Sequence, residues 1–321
     1  MRLFSRVPNI DFMAQRKRAL VLSAILTIVA IGCLITRGLN FGIDFKGGVL
    51  VEVVYPQAVE LDQMRAQLKD GGYPDAIVQY FGGTSDVMIR LLPEANASSA
   101  AISTQVLQAL HAEQNKVQLR RVEFVGPQVG GELREDGVIA VVAALALIFA
   151  FVWFRFEAKF SAGSTAALIH DAIMTVGFLS LVQEEFDLTV LAGLLAMLGY
   201  SNNETIVIFD RIRENLRTYR KKPVLDVINL SINQTLLRSI ITHFTVLMVL
   251  SSLFFFGGKS VHGFAVAMIV GVLVATYSSI YVSSGVTVLL GVTHEDLLTA
   301  EEKEGASGLA KRKADNDGAV V

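Results

Sequence analysis

The sequence predicts an α-helical polytopic membrane protein, with six transmembrane helices and an α+β, ferredoxin-like domain inserted after the first. Three observations carry this reading. Hydrophobic residues make up 52% of the 321 residues and charged residues 18%, too apolar a balance for a soluble domain that must cover its surface. The apolar residues gather into six stretches, each able to cross a hydrocarbon core of about 30 Å with about 20 residues. Between the first two lie about one hundred residues whose pattern alternates short strands and amphipathic helices.

The elements follow in order. Residues 1–18 lead into a first span at 19–36, where Arg16, Lys17 and Arg18 precede an apolar run that no small-x-small cleavage site follows. This span reads as a retained anchor. Its Cys33 is the single cysteine, so no intrachain disulfide forms. In the inserted unit at 37–136, strands are expected at 48–54, 76–81, 86–92 and 117–125 and helices at 59–70 and 98–113, punctuated by Gly71-Gly72, Gly82-Gly83 and Pro93. The order βαββαβ is that of a split-βαβ unit. It carries no clustered His and Cys with metal spacing, no nucleophile elbow and no phosphate loop, which points to a binding or lever domain rather than a catalytic one. A bundle at 137–292 supplies the other five spans, at 137–154, 161–182, 187–209, 237–256 and 262–291, the last long enough to tilt or kink. The charged tail at 293–321 reads as disordered.

Basic residues set the orientation. Arg2, Arg6 and the 16–18 cluster, the 210–222 loop with its six Lys and Arg, and Lys311 to Lys313 all favour the cytoplasm, and the acidic 183–187 link favours the outside. Both termini are then cytoplasmic and the inserted domain projects outward. The formal net charge of -2 hides this asymmetry.

Within the spans, ionisable residues mark the candidate site, because a charge at that depth costs several kcal/mol unless paired, hydrated or protonated. Glu204 closes the polar run Ser201, Asn202, Asn203 inside an otherwise uncharged span, and is expected to carry protons. Asp210, Arg211 and Arg213 follow it and read as a headgroup anchor. Asp171 shares a helix face with Gly163, Ala167 and Thr175, suited to a polar interior, and His170 stands beside it. Arg238, Thr242 and Thr245 fall on one face of the fifth span at a depth similar to Glu204, which allows a Glu204–Arg238 ion pair. Snorkelling to the interface is the other reading of Arg238. No role falls to His243. The sixth span has a small residue every four positions from Gly263 through Ala267, Gly271, Ala275 and Ser279 to Ser283, a seam for close packing.

Five segments carry a family resemblance: GLNFGIDFKGG at 38–48, HDAI at 170–173, GYSNNETIVIFDRIREN at 199–215, TLLRS at 235–239 and TYSSIYV at 276–282. Together they resemble the SecF family, the smaller membrane subunits of bacterial SecDF complexes in the resistance-nodulation-division (RND) superfamily. The resemblance implies an RND-type half with one periplasmic domain in the bacterial inner membrane. It implies a heterocomplex with SecD, association with the SecYEG channel, and YajC and YidC as further partners. The implied role is a non-enzymatic accessory subunit that uses the proton motive force to promote translocation of unfolded preproteins, with protons as coupling ion and no cofactor or metal. It places the family's intramembrane carboxylate, more often Asp, on Glu204 and its arginine on Arg238. Asp44, Gly47 and Gly48 match the signature at the base of the domain, with Lys46 where Thr is frequent, and read as a hinge. A small-molecule exporter of the same superfamily and a pure scaffold are the competing readings.

Overall fold

The protein's structure, a computed structural model, describes residues 8–81, 83–91 and 99–297. Arg2, Arg6, Gly82, Pro93 and the tail cluster at 311–313 lie outside the described residues. Helix α1 (Arg16–Arg37) is apolar around most of its girth and buries only Ala19, Ser23 and Ala30. It leads into a two-residue strand β1 (Asn40–Phe41) and a single turn α2 (Ile43–Lys46).

The inserted unit follows as β2 (Gly48–Val54), α3 (Leu61–Asp70), β3 (Ile77–Tyr80), β4 (Asp86–Leu91), α4 (Ser99–Ala109), a turn α5 (Ala112–Asn115) and β5 (Gln118–Val125). Its four strands form an antiparallel sheet in the order β3-β4-β2-β5. Val49, Val51 and Val53 of the central strand β2 pack with Met64, Leu68, Ile89, Ile102 and Val106 into the core under the helices. Leu50 and Glu52 are also buried, on the opposite face, where Leu50 meets Ile43 and Met88. A strand covered on both faces reads as a continuous apolar run, which is why GVLVEVV scarcely alternates. The helix expected at 98–113 ends earlier, since His111 adopts a left-handed conformation at the break between α4 and α5.

The bundle is α6 (Pro127–Arg155), α7 (Ala158–Val182), β6 (Glu185–Phe186), α8 (Leu188–Thr218), α9 (Val224–Phe256) and α10 (Lys259–Ser278), continued by a π-helical turn (Ser279–Ser283) and α11 (Ser284–Leu289). Among the described residues, five helical stretches are long and apolar enough to cross a membrane: Met13–Arg37, Pro127–Arg155, Ala158–Val182, Val224–Phe256 and Ser260–Leu289. Helix α8, at the expected span 187–209, is not among them, because its polar run and its charged end dilute its apolar content. The helices also outrun their expected ends. Pro127 at the first turn starts α6 ten residues before 137, since Pro is tolerated where no backbone donor is required. The loop expected at 210–222 shrinks to 219–223, with α8 continuing through Arg211 and Glu214, which pair at 2.6 Å one turn apart, and α9 starting after Pro223.

The domain sits on the bundle through a built seam. Strand β1 pairs in parallel with β6, Asn40 opposite Glu185 and Phe41 opposite Phe186. Arg90 on β4 forms an ion pair with Glu185. Asp44 accepts a hydrogen bond from the backbone N–H of Leu188 at 2.9 Å, at the first turn of α8. Gly47 and Gly48 take φ of +73° and +134°, and a Cβ on them would stand 2.9 Å from Pro127 Cα and 2.5 Å from Leu91 O. The segment read as a hinge is thus a close-packed elbow, bent by its glycines. A cavity of about 250 Å³ remains in the seam, lined by Asp44, Glu52, Glu123, Glu185, Asp187 and Arg121 among others.

Two predictions follow from the elbow and the seam. Gly48→Ala, strained and blocked by Leu91 O, should destabilise the protein by on the order of 2 kcal/mol or more, read as a lower melting temperature in detergent. Burial raises the Glu185 carboxyl above its ordinary value against the pull of Arg90, and Asp187, Asp44 and Glu184 add to the rise. A carboxyl raised in the folded state favours folding at low pH, and that contribution fades as pH climbs through the raised value. The melting temperature of the wild type relative to Glu185→Gln should therefore fall as pH climbs from near the unfolded carboxyl value of about 4.3; a difference flat with pH contradicts it.

Candidate functional site

Helices α7, α8, α9 and α10 converge on two buried carboxylates. On α8, Ser201, Glu204, Thr205 and Ile208 share the inward face at helical spacing, and all are buried. Asn202 is buried too and accepts from Ser164 Oγ at 3.4 Å. Asn203, placed by the sequence on the supporting polar path, is turned outward and exposed.

Glu204 is 8% exposed. Its Oε1 accepts a short hydrogen bond from Ser239 Oγ, and its Oε2 lies 3.7 Å from His243 Nε2. Ser239 and His243 are four residues apart on α9 and so reach the same point. The other ring nitrogen, Nδ1, stands 3.0 Å from Thr276 Oγ1 on α10, and the ring leans on Tyr200 at 5.5 Å between centroids. The ion pair allowed for Glu204 and Arg238 does not form. Arg238 precedes Ser239 around the helix by about 100°, which carries its head off the Glu204 face; it is exposed and, among the described residues, makes no ion pair. Arg238 and Glu204 instead line one cleft of about 320 Å³ with Asn203, Thr242 and Thr245. Thr242 is exposed there, its hydroxyl donating to the carbonyls of Arg238 and Ser239 at 2.9 and 3.0 Å.

Asp171 is fully buried. Its Oδ2 accepts from Ser201 Oγ at 2.6 Å and from Ser278 Oγ at 2.7 Å, and its Oδ1 lies 2.9 Å from Nδ1 of His170. His170 and Asp171, adjacent in sequence, thus bond to each other. The two clusters share α8, through Ser201 and Glu204, and α10, through Ser278 and Thr276.

Close packing brings these groups together. On the seam of the sixth span, a Cβ on Gly271 would strike Met197, and one on Gly263 would stand 2.5 Å from Val190 Cγ2, so α10 lies directly against α8. Below, Gly163 of α7 faces Ser283 and Thr287 past the π-helical turn, a feature frequent at functional sites. Asp210, Arg211 and Arg213, read as a headgroup anchor, are tied to protein groups: Asp210 to Arg155 at 2.8 Å, Arg213 to Glu157 at 2.9 Å and Arg211 to Gln234 at 2.6 Å. Sequence reasoning missed Ser239 and His243 as partners of Glu204, although their i, i+4 spacing just after Arg238 was a usable signal.

Replacing Asp171 with Leu leaves Ser201, Ser278 and His170 without their acceptor in the dry core, at about 1–3 kcal/mol for each unsatisfied group. Asp171→Leu should accumulate poorly in membranes and melt well below the wild type in detergent, and Asp171→Asn, which keeps an acceptor, should lose much less. Equal melting of the two variants contradicts the arrangement.

Comparison with known proteins places the chain. Residues 105–293 match the family described as protein export membrane protein SecD/SecF, C-terminal, and residues 34–59 match the SecD/SecF GG motif. The protein translocase subunit SecF of Pseudomonas aeruginosa is 46% identical over 93% of this chain and 97% of its own length. That of Vibrio alginolyticus is 45% identical over 93% of this chain and 95% of its own. The solved structure of SecDF from Thermus thermophilus, described as a translocon-associated membrane protein, matches with a TM-score of 0.81 at 36% identity. The match covers 90% of this chain but 39% of that one. A SecDF structure in a super-membrane-facing form matches with a TM-score of 0.68 at 33% identity over 96% of this chain and 41% of the other. On a family match over more than half of its residues and relatives this similar over nearly their whole length, the chain belongs to the SecF family of protein translocase subunits.

Proposed function

We propose that the chain is an accessory subunit of Sec protein export that pairs with SecD and uses the proton motive force to promote preprotein passage through SecYEG and completion of export. YajC and YidC are further partners, the substrate is an unfolded preprotein, protons are the coupling ion, no cofactor takes part and the chain performs no chemistry of its own. The observation that carries this reading is Glu204, a carboxylate buried among hydroxyl and imidazole groups inside the bundle and reached from one side by a polar cleft. An ionisable group held at that depth is a proton pathway by default. The SecD partnership is supported by the two SecDF structures, of which this chain covers one part.

In this reading α8 also crosses the membrane, as the fourth of six spans, both termini are cytoplasmic and the ferredoxin-like domain is periplasmic, in the bacterial inner membrane. Glu204 takes up and releases protons, Arg238 across the cleft sets the electrostatic cost of its charged form, and Asp171 with His170 extends the polar path. Helix α8 joins this site to the domain: its first turn is held by Asp44, and Glu204 lies sixteen residues, about 24 Å, further along. A shift of α8 on protonation moves the elbow at Gly47 and Gly48 and with it the domain.

The test is preprotein translocation into inverted membrane vesicles at matched levels of the complex, with and without a proton gradient. Glu204→Gln should abolish the stimulation by the gradient and leave the gradient-independent component intact. Full stimulation in the variant would reduce Glu204 to a structural group and favour the scaffold.

A further inference from the structure

We infer that His243 is the positioning residue of the proton site: its imidazole and the Glu204 carboxylate hold one proton between them, and Thr276 reads whether it is there. The inference deepens the proposed role of Glu204 and rests on it. It starts from hydrogen-bond accounting at one buried ring. His243 is 4% exposed, its Nε2 faces only Glu204 Oε2, at 3.7 Å, and its Nδ1 faces only the Thr276 hydroxyl, at 3.0 Å. Among the described residues no other group forms an ion pair with either member, and Arg238 is the one further charge lining the Glu204 cleft. From α8 the ring meets Glu204 and Tyr200, from α10 Thr276, and on its own helix Ser239 bonds the far oxygen of Glu204 while Arg238 lies across the cleft. Among the described residues Glu204 forms no other ion pair.

Thr276 has one hydrogen and two places to send it. Its Oγ1 lies 2.7 Å from the carbonyl of Val272 and 3.0 Å from His243 Nδ1. A neutral imidazole carries hydrogen on one nitrogen only. Without the added proton, the ring keeps its hydrogen on Nε2, aimed at the ionised carboxylate, and Nδ1 accepts from Thr276. With it, either both ring nitrogens carry hydrogen or Glu204 carries it and donates to Nε2. In both forms Nδ1 holds a hydrogen of its own and donates to Thr276, whose hydroxyl must then turn to Val272. One proton is gained, none is lost, and the Thr276 hydrogen changes acceptor.

This arrangement gives a role to a buried Nε2 that has no hydrogen-bond partner and lies 3.7 Å from Glu204 Oε2. It also places the readout on α10, the helix whose Ser278 donates to Asp171. Uptake at Glu204 therefore reaches the second carboxylate cluster through the helix that touches both.

The experiment uses the chain assembled with its SecD partner in lipid nanodiscs. Infrared spectroscopy follows the protonated-carboxyl band of Glu204, identified by its loss in Glu204→Gln, and NMR of isotope-labelled histidine follows the tautomer of His243, assigned through His243→Gln. In the wild type, the Glu204 band and the His243 signals should change at one common pH midpoint, and in His243→Gln the midpoint of the Glu204 band should move by at least one pH unit. Thr276→Val, which keeps both titrating groups but removes the hydrogen-bond partner of Nδ1, should retain the proton step and change the Nδ1 chemical shift of His243 on both sides of the midpoint. A Glu204 midpoint that does not move in His243→Gln overturns the shared proton, and Nδ1 shifts of His243 that are the same in Thr276→Val as in the wild type overturn the readout. These titrations need no translocation, so they separate from the vesicle assay. Gradient stimulation surviving Glu204→Gln refutes the proton-carrier reading, whereas an unmoved midpoint with stimulation lost refutes only the part given to His243.

Discussion

A carboxylate inside an apolar slab must find its donors among its own helices, because neither lipid nor a dry core supplies any. Asp171 and Glu204 impose that constraint twice, and the arrangement of the bundle follows from it. Asp171 draws Ser201 of α8 and Ser278 of α10 to one oxygen, and Glu204 draws Ser239 of α9. Hydroxyls on short side chains reach only when backbones come close, and close approach requires small residues at the crossings. Gly263, Gly271 and Gly163 stand at those crossings. Helices α1 and α6, which carry no such group, keep mostly exposed apolar surfaces instead.

The same constraint makes α8 the mechanical axis. Its first turn is capped by Asp187, which accepts from Val190 N at 2.8 Å, and is touched by Asp44 from the domain elbow. Its middle holds Ser201 and Glu204. Toward its end, Asp210 and Arg213 are fastened to Arg155 and Glu157, the elbow between α6 and α7. A helix held at both ends and polar in its centre transmits a change at the centre to its ends, since a hydrogen-bonded rod does not absorb displacement along its axis.

Much of this was legible in the sequence because two periodicities are local properties. Five of the six expected spans come from apolar length, and the βαββαβ order of the inserted unit comes from alternation and turn residues, with the ends of helices misplaced; the expected span at 187–209 is a helix that apolar length does not mark. Those ends failed for a physical reason: Arg211, Glu214 and their neighbours read as loop by charge, yet they are good helix formers that pair along the helix. The polar run at 201–204 and the Asp171 face were also visible. What one chain of letters does not reveal is which helix lies opposite. Arg238 looked like the partner of Glu204 by depth, and the structure gives that place to Ser239 and His243, one helical step around. Long-range clasps were equally silent: Asn229 and Asn233 hold the backbone at Ile10, more than two hundred residues away, with hydrogen bonds of 2.8 to 3.0 Å.

The outward face of α9 sharpens the argument for a partner. Arg238, Thr242 and Asn203 surround an open cleft whose inner wall is Glu204. Against lipid tails a guanidinium at this depth costs several kcal/mol, and neither hydroxyl nor amide offsets that charge. A facing subunit with polar groups removes the cost and at the same time closes the cleft, confining whatever water enters it. For a proton carrier of the kind proposed, confinement matters because exchange between the two sides of a membrane requires that both are never open to Glu204 at once. In the proposed role the exposed arginine is where assembly and coupling would meet, since it lines the cleft through which the buried carboxylate is reached.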